Sequence, residues 1–199
     1  MSDGAANADP LELLAKAIGR TRTTITDVAE AQLGSATPCA EWDVCGLMNH
    51  MLGGLEFTAG CMAGSPPDLR PTEADSSLAG QRDLDALIGA YENQSERLLR
   101  MAAEPGMLDR IVASPFGEMP AARFLVGTVM DQTIHFWDLA KATGQDASLS
   151  HELVEYTMAM LSSGFAEQGR AMGFIGPEIA VPDGSSEQDK LIAFMGRQP

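Results

Sequence analysis

Two histidines and one aspartate carry most of the chemistry this 199-residue sequence offers. His135 follows Asp131 by four positions inside the apolar run from Pro120 to Ala140. If that run is helical, Ala121, Phe124, Thr128, Asp131, His135, Leu139 and Ala142 fall on one stripe. A carboxylate and an imidazole then sit in the middle of a face that is otherwise small or apolar. Burying an unpaired carboxylate is expensive. A divalent cation neutralises it, and side chains four apart on a helix converge on one ion. A buried Asp131–His135 hydrogen bond is the plain alternative. A second histidine, His50, shares a helical face with Gly46, Leu47, Gly53, Gly54 and Phe57. Each glycine costs a helix about 1 kcal/mol relative to alanine, which makes sense if this face needs close helix approach or an open cavity. A lone histidine in such a place is ordinarily a satisfied core residue. With two of the three histidines on inward faces, one beside a carboxylate, a two-histidine, one-carboxylate metal site is the stronger reading.

The neighbouring residues are weighed the same way. Asp138 lies one turn beyond His135, where it either accepts an imidazole N–H, as metal-bound histidines need, or pairs locally with Lys141. Cys61 shares the side of His50, but eleven helical residues place it roughly 16 Å away. Cys45 points to the opposite side, so both read as core thiols. Cys39 falls in the loop before that helix, where a bundle-end position near the metal is the lesser alternative to an ordinary loop thiol. His151 opens a later helix as a solvated residue. The twelve Met fill an irregular core, and Trp42 and Trp137 are packing anchors.

Helices must position these groups. Asp9-Pro10 starts the first, with Leu11, Leu14, Ile18, Ile25 and Val28 at helical spacing and a stop near Gly34. The second runs from Asp43 as N-cap to about Met62, before Gly64-Ser65-Pro66-Pro67. The third carries Leu84, Leu87, Ile88, Tyr91, Leu98 and Met101, and stops at Pro105-Gly106. Arg110 to Gly117 is a small hairpin or an extended crossover. The fourth helix runs from Pro120 to Gly144, placed as a C-terminal glycine cap, and the fifth from Ser150 to about Arg170. Residues 1–170 read as the bundle. Residues 171–199 read as a tail packed on it, with an extended Ile179-Ala180-Val181-Pro182, a turn, and a short helix capped by Ser186 with Asp189. Long amphipathic helices with almost no strand predict an all-α bundle.

Composition narrows the function classes. Twenty-eight acidic against 13 basic side chains give a net charge of −15, the wrong sign for tracking nucleic-acid phosphates or an anionic membrane surface. The first ten residues lack the basic and apolar regions of a signal peptide, and no apolar run approaches the ~20 residues needed to span a bilayer. Cys39, Cys45 and Cys61 match no zinc-ribbon or redox spacing. They read as reduced thiols of a cytoplasmic protein.

The string Thr37-Pro38-Cys39-Ala40-Glu41-Trp42-Asp43-Val44, continued by Leu47-Met48-Asn49-His50, resembles the N-terminal signature of the DinB-like metal-binding superfamily. Within it, the chain is most similar to the branch named for the mycothiol-dependent maleylpyruvate isomerase N-terminal domain. The run from Asp131 to Gly144 matches that branch's carboxylate-x3-His-x-Trp-Asp-Leu-Ala pattern, and Asp189 to Pro199 is similar to the tail of its short actinobacterial members. The resemblance implies a DinB-like four-helix bundle holding a divalent metal, usually zinc, on His50, Asp131 and His135. The isomerase has Glu where this chain has Asp131. It also implies an open fourth position for water or a thiolate, whose pKa zinc lowers, with mycothiol as the thiol. The isomerase has a separate catalytic C-terminal domain, whereas here a short tail follows the fifth helix. The expected function is therefore a metal- and thiol-dependent transferase or isomerase acting on a small electrophile. The alternative is a non-catalytic metal-binding module working through a partner. A homodimer is compatible with either, because bundles often bury a spare apolar face.

Overall fold

The computed structural model describes residues 9–65, 82–114 and 117–199. The expectations for the extreme N-terminus and for Pro66-Pro67 lie outside the described residues. In chain order the elements are α1 (Pro10–Thr26), a 3-10 turn (Glu30–Gln32), α2 (Val44–Met62), α3 (Leu84–Ala102), β1 (Ile111–Ser114) and β2 (Gly117–Pro120). They continue with α4 (Ala121–Thr143), α5 (His151–Met160), a π-helical segment (Leu161–Phe165), α6 (Ala166–Ala171) and α7 (Glu187–Phe194).

Helices α1 to α4 form the bundle. Helix α4 packs on α1 and α2, and α3 closes the square by packing on the same two. Their shared core includes Leu14, Ile18, Leu47, Met51, Leu55, Leu98, Leu125 and Val129, all buried. The helix starts are fixed by side chains that accept otherwise unpartnered N–H groups. Asp9 accepts from Leu11 and Asp43 from Gly46, while Asp83 accepts from Ala86 and Ser186 from Asp189. Gly144 ends α4 in the left-handed region at φ 72°. The segment after α3 is a hairpin, with β1 antiparallel to β2 and Val112 opposite Met119.

Two expected boundaries are corrected. Helix α1 ends at Thr26 rather than near Gly34. Its last turns are threonine-rich, and Thr21, Thr23 and Thr26 each donate a side-chain O–H to the carbonyl four residues back. Such bonds compete with regular helix and weaken its continuation. The fifth helix is not continuous to Arg170, because Gly164 at φ 98° interrupts it and splits α5 from α6. The extended Ile179 segment forms no ladder; its Ile179 N–H donates to Ala193 O.

Helix α4 is apolar around most of its circumference because it is buried on two sides. One side belongs to the bundle core. The other carries Ile134, Phe136, Trp137 and Ala140 into a second cluster with Val154, Leu161, Leu191, Ile192 and Met195. The C-terminal segment thus lies against the same helix that holds Asp131 and His135. Among the described residues no helix is long and apolar enough to cross a membrane.

Candidate metal centre

The seam between α2 and α4 brings His50, Asp131 and His135 together. It is kept close by the Thr58–Thr128 hydroxyl contact at 2.9 Å and by Phe57 set edge-on to Phe124. One donor atom from each of the three residues lies within 4.8 Å of the others. His50 Nε2 is 3.3 Å from Asp131 Oδ1, and His135 Nε2 is 3.6 Å from the same oxygen. The side chains of His50 and His135 are 6% and 11% exposed, whereas Asp131 is 28% exposed. The cluster is therefore walled by protein on its histidine sides and reaches solvent at the carboxylate.

Each ring has a distinct support. His50 stacks on Trp42, with centroids 4.0 Å apart and planes 22° apart, and Trp42 also meets His135 edge-on at 5.6 Å. Trp42 is thus more than the packing anchor its sequence context predicts, since it walls both imidazoles. Gly46 permits this, because a Cβ there would stand 3.2 Å from Trp42 Cβ. Gly54 admits the carboxylate in the same way, a Cβ there standing 3.3 Å from Asp131 Oδ2. Two glycines of the expected open face are thus accounted for by close approach.

The carboxylate is anchored from behind. Gln132 donates to Asp131 Oδ2 at 3.3 Å and to Met51 O at 3.2 Å, and its own amide oxygen accepts from the buried Tyr91 hydroxyl. Burial pushes the Asp131 carboxyl up. His50, His135 and Gln132 outweigh burial and hold it below the ordinary carboxylate range.

His135 is held through its other nitrogen. Asp138 Oδ2 lies 3.0 Å from His135 Nδ1. The same carboxylate accepts two bonds from Arg197, Nη2 to Oδ2 at 2.9 Å and Nε to Oδ1 at 3.2 Å. Asp138 is fully buried and Arg197 is 9% exposed. Burial pushes the Asp138 carboxyl up, but His135 and Arg197 together hold it low. The local alternative, a pair with Lys141, does not form: Lys141 lies over the Trp137 ring at 5.3 Å.

Asp138, ionised and paired with Arg197, can only accept, so His135 carries its proton on Nδ1. With Nδ1 so engaged, Nε2 is the nitrogen that faces Asp131 Oδ1. An unprotonated Nε2 opposite a carboxylate oxygen is relieved by a second proton on His135 or by a cation between them. Two imidazole nitrogens and a carboxylate oxygen also suit a borderline divalent ion. The residues present therefore fit a divalent metal. His50 Nδ1 has no partner among the described residues.

The other sequence candidates fall elsewhere. Cys45 and Cys61 are buried thiols. His151 is exposed and lies 3.5 Å from Glu155. Cys39 is closer than its loop position suggests, since a second group of donors, Cys39, His135 and Asp138, also lies within 4.8 Å of one another. Burial pushes its thiol up to about 11, with Arg197 pulling the other way. Sequence reasoning missed Trp42 as a wall, the Tyr91–Gln132 support and Arg197, and ranked the position of Cys39 beside His135 as the lesser alternative. The only hint of Arg197 was that a buried Asp138 needs a cationic partner. No periodicity assigns that role to a residue 59 positions away.

Comparison with known proteins places this geometry in context. Residues 14–140 match the family described as the mycothiol maleylpyruvate isomerase N-terminal domain. Two uncharacterized proteins of Mycobacterium tuberculosis, from strains CDC 1551 / Oshkosh and ATCC 25618 / H37Rv, are each 32% identical over 192 residues, 95% of this chain and 98% of theirs. The crystal structure of the mycothiol-dependent maleylpyruvate isomerase superposes with a TM-score of 0.70 at 17% identity, covering 85% of this chain and 75% of that one. A histidine-to-alanine mutant of that enzyme gives 0.69 with the same coverage. At this identity the structural likeness establishes the fold. With a helical bundle of that architecture and a family match over most of its length, the chain belongs to the mycothiol maleylpyruvate isomerase N-terminal domain family.

Proposed function

We propose that this chain binds one divalent cation, zinc in the first instance, through His50 Nε2, Asp131 and His135 Nε2, and with it activates a low-molecular-weight thiol toward a small electrophile. The thiol would be mycothiol, which the family's name and the isomerase title supply, and the reaction a thiol-dependent transfer or isomerisation. The observation that carries the reading is the opposition of the His135 Nε2 lone pair and Asp131 Oδ1 across 3.6 Å, with Asp138 holding the proton on Nδ1. The 28% exposure of Asp131 favours a reactive site over a closed structural one.

When bound, the cation supplies Lewis acidity that favours the deprotonated form of a coordinating thiol. The chain's own residues supply orientation. Asp138 fixes the His135 tautomer, Gln132 aims the Asp131 carboxylate, and Trp42 covers the His50 ring and keeps water from that face. The three cysteines are free thiols, which suits a reducing cytoplasm where such small thiols circulate.

Metal analysis of untagged protein tests the first half, with one zinc per chain expected and little or none in His135→Ala. A thiol-consumption assay with mycothiol and an electrophile, run with and without chelator, tests the second. Protein that binds zinc yet consumes thiol equally well in chelator would sink the catalytic reading. Protein without affinity for any divalent ion would sink both halves.

A further inference from the structure

We infer that Arg197 decides which of two overlapping donor sets can take a cation, by filling the second set with its own guanidinium. His135 belongs to both. Through one ring nitrogen it faces His50 and Asp131, and it also groups with Cys39 and Asp138, whose donor atoms lie within 4.8 Å of it and of each other. A neutral imidazole has one lone pair to give, so the two sets compete for the ring. The second set is the softer of the two, with a thiol, a carboxylate and an imidazole, and becomes the more anionic once a bound metal displaces the thiol proton. On donor chemistry alone it would compete well for zinc.

The protein closes that option with a covalently attached cation. Arg197 forks onto both oxygens of Asp138 at 2.9 and 3.2 Å, and its third nitrogen, Nη1, donates to Met195 O at 3.0 Å. A guanidinium keeps its charge at any accessible pH and matches a carboxylate in two-point geometry. A metal at Asp138 would have to displace it. With the carboxylate so held, Asp138 accepts a hydrogen bond from His135 Nδ1–H and leaves Nε2 for the first set. Cys39 is meanwhile kept in place, since the Thr37 hydroxyl stands 2.8 Å from both Cys39 O and Trp42 O and shares its one proton between them. The second set is therefore built but occupied, and removing the arginine would open it.

This inference rests on the metal reading of the first set, and Co²⁺ as probe separates the two. A thiolate bound to Co²⁺ gives an intense near-ultraviolet charge-transfer band that histidine and carboxylate ligands do not. The native chain should take up Co²⁺ with ligand-field bands and no thiolate band, and Cys39→Ser should leave that spectrum unchanged. Arg197→Ala and the milder, still hydrogen-bonding Arg197→Gln should gain the thiolate band. Adding Cys39→Ser should abolish it, and Arg197→Lys, which keeps the charge, should stay without it. Arg197→Ala and Arg197→Gln that bind Co²⁺ without the band would overturn the inference and leave the metal reading standing. So would a Cys39-dependent band in the native chain, a comparison that needs no arginine variant to fold. Uptake by none of these proteins would overturn both.

Discussion

Asp131 accepts or opposes every nitrogen that matters at the centre, so its replacement is the most direct residue-level test. Asp131→Asn keeps the size of the side chain but removes the charge that faces both imidazoles. Its divalent-metal affinity, measured by competition with a chromogenic chelator, is expected to fall at least about tenfold, since the proposed ligand should matter no less than its supports. Asp138→Asn tests the support behind the ligand, with an expected loss of about 10–100-fold in the same assay. Asp138 also makes acid stability predictable. Its carboxyl is held low in the folded protein, so below the ordinary value of about 3.9 the unfolded chain takes up a proton that the folded chain refuses. Its contribution is therefore present above that pH and is lost as pH falls through the lowered folded value. Urea denaturation at stepped acidic pH should show a steeper decline for the native chain than for Asp138→Asn; equal slopes would contradict the assignment.

At the scale of elements, glycines decide where helices approach and where they break. Gly54→Ala should raise the intrinsic helicity of α2 by about 1 kcal/mol, while its new Cβ meets Asp131 Oδ2 at 3.3 Å. The expected signature is an unchanged or higher Tm with weaker metal binding, a split that a purely structural glycine would not produce. Gly164 is the opposite case. At φ 98° an alanine is strained, and Gly164→Ala should cost about 1–2 kcal/mol in chemical denaturation with metal affinity intact. The break it makes between α5 and α6 was not legible beforehand, because an isolated glycine in an apolar periodic run is commonly tolerated within a helix. The early end of α1 was hidden similarly. Val28 and Leu33 continue the apolar pattern and are buried, but after Thr26 they are delivered by a 3-10 turn and loop rather than by more α-helix.

For the whole molecule, α4 is the member that both cores and the centre share. Its bundle side packs on α1 and α2, and its other side packs on α5 and shares a second cluster with Leu191 and Ile192 of α7 and with Met195 just beyond it. Leu191→Ala should lower stability by about 2–5 kcal/mol through the cavity it leaves, read as a shifted urea midpoint with unchanged slope. The packing of α7 is also what carries Arg197, three residues beyond the helix, to a carboxylate 59 positions earlier. The sequence by itself determined the helices, most of their caps, the family resemblance, and the placement of His50, Asp131 and His135 on inward faces. Those properties follow from local spacing, because a helix converts positions three and four apart into one face. Only the tertiary structure decided that Trp42 walls the imidazoles, that Tyr91 and Gln132 brace Asp131, and that Arg197 rather than Lys141 answers Asp138. Apart from the Gln132–Asp131 contact within α4, these contacts bring together parts of the chain that local helical spacing does not relate. Loop paths are set by the sum of packing across the whole bundle and leave no period in the chain to read.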